Sequence, residues 1–209
     1  MSRSRYARYV GLVGLVIAVL VVVNTLLVSS DGAAGIAPGH RLAPFAVPLA
    51  LGTLQGDANI ATHAHEGFAG NVPACSVRGM RVLNACELYE QGPLVLALFV
   101  ESDGCPKVLS EMQALLRSFP EVRFAAVAIE GQRSRLRRLV RARGLTLPVG
   151  IDEDGAVATI YKVFGCPQIN FAYPGGVVQS RALLRTPSLA ELRVRVSQLV
   201  VASRARGWR

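Results

Sequence analysis

From Leu94 onward, short apolar runs alternate with amphipathic stretches, and that alternation predicts the elements one by one. "LVLALFV" (94–100) is a continuous apolar run bounded by "QGP" and "ESDG", the pattern of a strand buried on both faces. "VLSEMQALLRSF" (108–119) then places Val108, Leu109, Met112, Leu115 and Leu116 on one side of a helix. "VRFAAVAI" predicts a second buried strand. "SRLRRLVRARG" predicts a second helix, with Leu136, Leu139 and Val140 inward, arginines in solvent, and a stop at Gly144. A short strand over "LPVGID" and a short helix over "GAVATIYKVFG" follow. "CPQINFAYPGGVVQSRALL" reads as strand, Pro-Gly-Gly turn and strand, a β-hairpin with a loop of three or four residues. The last helix opens on Ser188 and Glu191 at capping-box spacing and turns Leu189, Leu192, Val196, Leu199 and Val200 inward. The order β-α-β-α-β-α-β-β-α defines an α/β protein, a mixed sheet with helices on both faces.

Upstream the pattern is less regular. "CSVRGMRVLNAC" alternates β-branched and polar residues around "RGM" and predicts a hairpin turning near Gly79, with Cys75 and Cys86 nearly opposite. Residues 42–74 carry several prolines and glycines without long periodicity, so short extended pieces and loops are expected there. "SSDGAAGIAPGH" has the composition of a flexible tether. Before it, Tyr9 to Val28 contains no charge, and about twenty residues at 1.5 Å each span a hydrocarbon core of roughly 30 Å. A cleaved signal peptide is the competing reading, but its apolar region usually runs only about 7–15 residues. The length favours an uncleaved transmembrane anchor. Arg3, Arg5 and Arg8 precede the run and no charge follows until Asp31, so the N-terminus is expected in the cytoplasm and the rest outside the cell membrane.

The expected organisation is therefore a cytoplasmic N-terminus (1–8), a single span (9–28), a linker (29–41), a folded domain (42–203) and a disordered tail (204–209). Composition agrees with this division: 51% hydrophobic residues and a mean hydropathy of +0.37 are high for a purely soluble chain. The formal charge of +9 shrinks once the three N-terminal arginines are assigned to topology. Twenty basic against fourteen acidic residues remain, and most of the excess lies in "QRSRLRRLVRARG" and "SRARGWR", read here as solvated surface. Outside the membrane, nucleic acid is not an expected partner.

Chemistry enters with four cysteines, Cys75, Cys86, Cys105 and Cys166, an even set in a compartment where disulfides persist. Spacing alone allows three connectivities. The predicted hairpin favours Cys75 with Cys86 as a structural staple, worth roughly 3 kcal/mol for a loop of that length. Cys105 stands where the first strand gives way to a helix, and a thiolate at a helix N-terminus is stabilised by the dipole. Lys107 adds to that effect, and Glu101 and Asp103 oppose it.

"LFVESDGCPKVLSEM" is similar to F-W-x-x-W-C-P-x-C-x-x-E-M, and "YKVFGCPQINFAYPGGVV" to Y-x-V-x-x-x-P-x-x-F-x-x-x-x-G-x-V. On these motifs the chain resembles the thioredoxin-like superfamily, in particular its extracytoplasmic, membrane-tethered thiol-disulfide oxidoreductases and, more distantly, the peroxiredoxins. The resemblance covers residues 42–203. It implies that Cys105 is the nucleophile and Pro167 the cis-proline. Two departures stand out: Val108 replaces the second cysteine of the motif, and Cys166 occupies the position before the proline.

Because the residue before that proline lies against the nucleophile's corner in such folds, the resemblance implies a Cys105–Cys166 redox pair with Cys166 as partner. It implies thiol or disulfide clients and no bound cofactor. Two other functions fit the same residues. One is a catalytically silent scaffold or binding module holding two structural disulfides. The other is a peroxiredoxin-like thiol peroxidase, for which Ser102 would match the Thr of T-x-x-C, although no arginine can be matched to the one such enzymes need. His63 and His65 form an H-A-H without acidic or cysteine neighbours at ligand spacing and are read as a solvated loop rather than a metal site.

Overall fold

The structure, a computed structural model, describes residues 12–23, 35–102 and 104–208. The chain divides into two compact units, Met1–Ala33 and Ala34–Arg209. In the first, residues 12–23 are helical and their apolar side chains are exposed. No helix among the described residues is long and apolar enough to cross a membrane; the span predicted over Tyr9–Val28 extends at both ends outside the described residues.

The second unit is built on a five-stranded sheet of order β5-β4-β3-β6-β7. Its strands are β3 (Leu94–Phe99), β4 (Arg123–Ile129), β5 (Val149–Asp152), β6 (Gln168–Ala172) and β7 (Val178–Leu183). β3, β4 and β5 run parallel, while β6 runs antiparallel to both β3 and β7. A separate pair, β1 (Ala46–Pro48) with β2 (Val82–Asn84), is antiparallel. The helices are α1 (Ala85–Glu90), α2 (Lys107–Leu115), α3 (Arg133–Ala142), α4 (Ala156–Ile160) and α5 (Leu189–Ala205).

β3 shows why an uninterrupted apolar run was required. All six of its residues are buried, and alternate ones serve two cores. Val95, Ala97 and Phe99 join Val108, Leu109, Met112 and Leu115 of α2, Leu136 and Val140 of α3, and Leu192, Val196 and Leu199 of α5. Leu94, Leu96 and Leu98 join Phe45, Leu83, Tyr89, Val157 and Tyr161 in the other core. At roughly 1.5–3 kcal/mol for each large apolar side chain buried, these two layers dominate the stabilisation.

Four sequence expectations are corrected. The hairpin around Gly79 does not form. Asn84 caps α1 instead, its Oδ1 accepting from the N–H groups of Cys86 (2.8 Å) and Glu87 (3.2 Å) while its Nδ2 donates to the carbonyls of Ala74 and Val77. That cap turns the chain into a helix at Ala85, and β2 pairs with β1 through Leu83 and Val47.

The linker assigned to 29–41 is tethered over its described part. Gly39 N–H donates to Val178 O, Val178 N–H to His40 O, and Arg41 bridges Val177, because the free edge of the last hairpin offers unpaired backbone. The tail assigned to 204–209 is ordered through Trp208: α5 runs to Ala205, Trp208 N–H donates to Ser203 O, and Arg206 lies 3.9 Å over the Tyr173 ring. The arginines of α3 are not simply solvated either. Arg137 donates to the carbonyls of Ala50 and Gly52, Arg133 pairs with Glu153 at 3.1 Å, and Arg135 with Glu101 at 3.0 Å. Long charged side chains reach loop carbonyls that hydropathy cannot reveal.

The hairpin β6–β7 turns through Pro174, Gly175 and Gly176, with Tyr173 N–H donating to Val177 O at 2.8 Å. Gly176 has φ +84°, and a Cβ there would stand 2.8 Å from the Tyr89 ring, so the turn and its packing on α1 both require glycine. Ser188 caps α5 by accepting from Glu191 N–H, but the Glu191 carboxylate pairs with Arg185 at 2.7 Å.

Candidate functional site

Antiparallel pairing of β3 with β6 sets Leu98 opposite Gln168, so the C-terminal end of β3 and the start of β6 share one end of the sheet. Cys105 lies in the turn after β3, and Cys166 immediately before β6. The topology thus brings together two residues that are 61 apart in sequence. They form a disulfide with Cα atoms 5.6 Å apart, within the usual bridging range of about 4.4–6.8 Å. The Cys166–Pro167 peptide bond is cis, and Pro167 is buried.

Local sequence dictates the corner. Gly104 adopts φ +79° in the turn, Cys105 N–H donates to Ser102 O at 3.3 Å, and Pro106 occupies the N-cap of α2, where a missing N–H costs little. Val108, at the motif position of a second cysteine, is fully buried with Leu109 and Met112. It is a core residue.

The two sulfur-bearing residues differ in environment. Cys105 is 4% exposed and packs within the core beneath α2, whereas Cys166 is exposed. Val100 N–H, at the end of β3, donates to Cys166 Sγ at 3.2 Å. Beside Cys166 on the same loop, Phe164 is 87% exposed. Ser102 and Lys107 are exposed at the corner.

Charge is arranged around this corner by α3. Arg143, its C-cap, donates a hydrogen bond to the carbonyl of Pro106. Glu101 lines a shallow pocket with Val100, Ser102 and Arg135; burial pushes its carboxyl up from the ordinary value, and the Arg135 guanidinium pulls it partly back. Sequence reasoning missed Arg143 and Val100 N–H. Arg143 and Pro106 are 37 residues apart, and the Val100 donor is backbone, so neither leaves a local signal.

Cys75 and Cys86 form the second disulfide, with Cα atoms 5.4 Å apart. It joins a short 3-10 turn to the first turn of α1, Cys86 being fully buried. His63 does have an acidic neighbour, contrary to the expectation from the H-A-H pattern: the N–H of Thr62 first, then the His63 ring, whose Nδ1 lies 2.9 Å from Glu66 Oε1, and the His63 N–H hold the Glu66 carboxylate and lower its pKa.

A five-stranded mixed sheet flanked by helices, with a cysteine at the first strand-to-helix corner facing a cis-proline, defines a thioredoxin-like fold. Solved structures share it. A secreted Mycobacterium tuberculosis disulfide oxidoreductase homologous to Escherichia coli DsbE is 20% identical, covering 56% of this chain and 89% of its own at a TM-score of 0.50. A Chlorobium tepidum protein assigned as the thiol:disulfide interchange protein DsbE is 13% identical, covering 80% and 98% at 0.58. The peroxidoxin BcpB of M. tuberculosis is 15% identical, covering 81% and 97% at 0.56. No protein-family model and no curated protein matches the chain.

Proposed function

We propose that this chain is a membrane-anchored, extracytoplasmic thiol-disulfide oxidoreductase that exchanges its Cys105–Cys166 disulfide with the thiols of protein clients. The observation that carries the reading is the pairing itself: a sulfur at the start of α2 bonded to an exposed cysteine before the cis-proline, at the end of the sheet where loops are free to meet a partner. Fold likeness to disulfide oxidoreductases supports it. Cys75–Cys86 is the structural bridge. The anchor rests on the uncharged run Tyr9–Val28 and the arginines before it, which orient the domain away from the cytoplasm.

The rival is a silent scaffold with two permanent bridges, and equilibration of the full chain in glutathione redox buffers separates them. An exchanging Cys105–Cys166 pair is reduced at a potential above about −300 mV, and a structural bridge only below it. Reduction only below that value, together with no insulin-disulfide reduction by the full chain, assigns the scaffold. Protease treatment of sealed membrane vesicles tests the topology: the domain is digested only from the extracytoplasmic side.

A further inference from the structure

The reading above rests on the Cys105–Cys166 pair, but the two members are not equivalent. Cys105 is 4% exposed and belongs to the core cluster that contains Val108, Leu109 and Met112. Cys166 is exposed, and the neighbouring Phe164 is exposed with it. Which sulfur of a disulfide is attacked depends on access to it and on how well the other leaves. Access selects Cys166 for attack, and the position of Cys105 at the N-terminal end of α2 suits it to leave. We infer that Cys166, not Cys105, is the sulfur that meets the client, and that Cys105 is the internal resolving cysteine. This reverses the roles that the motif resemblance implies.

A client thiolate attacks Cys166 Sγ; the client–Cys166 disulfide forms, the Cys105–Cys166 bond breaks, and the electron pair leaves on Cys105 Sγ. That thiolate is released at the N-terminal end of α2, where the helix dipole favours negative charge and where Arg143 reaches the Pro106 carbonyl. A second client thiolate then attacks the client sulfur of the mixed disulfide. The client leaves oxidised, and Cys166 departs as a thiolate facing the Val100 N–H donor. In the opposite direction, the Cys166 thiolate attacks a client disulfide and Cys105 closes the ring by attacking Cys166 Sγ, expelling the client thiolate. Cys105 touches no client in either direction.

Full-length Cys105→Ser and Cys166→Ser, with Cys75–Cys86 intact, are incubated with oxidised glutathione and the adducts mapped by mass spectrometry. Cys105→Ser, which retains Cys166, is expected to acquire its adduct at least about tenfold faster than Cys166→Ser. Either substitution opens the bridge and could loosen the corner, so the oxidised wild-type chain is also treated with reduced glutathione and acid-quenched. The first mixed disulfide is expected on Cys166. Faster modification of Cys105 in both measurements overturns the assignment while leaving thiol exchange intact. No adduct on either cysteine, with an unreduced wild-type bridge, overturns the exchange reading and this inference with it.

Discussion

Arg143, the C-cap of α3, donates a hydrogen bond to the main-chain carbonyl of Pro106, the residue that follows Cys105. A guanidinium is thereby fixed at the corner where exchange would release a thiolate. Exposed ion pairs are worth about 0.2–1 kcal/mol, so Arg143→Ala should slow reduction of the bridge by glutathione about two- to fivefold at neutral pH and low salt. Stopped-flow rates measured across added salt check it: the deficit narrows as screening rises.

Phe164 is almost fully exposed on the loop that leads into Cys166. A polypeptide client reaching Cys166 would cover that ring, whereas glutathione is too small to gain much from it. Phe164→Ala should therefore lower the rate with insulin disulfides about threefold to tenfold, in line with partial loss of one buried aromatic contact. The glutathione rate is expected to stay unchanged, and an equal drop for both substrates would place the effect in the corner itself.

Asp152, at the end of β5, is fully buried; burial first, and then its hydrogen bond to Asp154, raise its pKa to about 6, against the N–H groups of Val157 and Ala158 that pull the other way. A carboxyl whose folded value exceeds its unfolded one keeps a proton that the unfolded chain has released. Stability therefore falls as pH rises from about 4 to about 6 and levels off above, by about 3 kcal/mol at most from this group. Asp152→Asn should flatten that fall and stabilise the domain at pH 7. Urea denaturation at pH 4, 5, 6 and 7 measures the slope for both proteins.

The Cys75–Cys86 bridge closes a loop of separation 11, with Cys75 beside Tyr89, whose ring packs on the β6–β7 turn, whereas the exchanging corner follows the opposite end of β3. Replacing both cysteines with alanine should cost roughly 3 kcal/mol in denaturant unfolding. Under conditions where the variant remains folded, its glutathione exchange rate should match the wild type.

The centre of the sheet was legible because its strands are buried on both faces: Leu94–Phe99 and Phe124–Ile129 had to be apolar without interruption, and their order with the helices between them pointed to the class of fold. Cys105 could be placed at its corner from the same pattern. What escaped were interactions carried by single polar atoms. Asn84 looks like any strand residue until its amide is seen satisfying two N–H groups and two carbonyls, and only then does α1 begin at Ala85. Arg137 and Arg143 read as surface charge because their acceptors are backbone carbonyls, which every sequence contains. The two cysteines' unequal exposure was equally hidden, since it depends on how deeply the α2 corner sits over β3.

The span of the Cys105–Cys166 bond has a bearing on the lifetime of the protein. A CxxC disulfide closes a tiny ring, but this one ties together points 61 residues apart, which in the chain-entropy model restrains the unfolded ensemble by roughly 4 kcal/mol. Under the proposed exchange, every reduction removes that restraint along with the bond. The reduced form opens more often and is cut sooner by proteases in its surroundings. Client thiols that consume the disulfide would thus also shorten the survival of the molecule that supplied it, until reoxidation closes the long loop again.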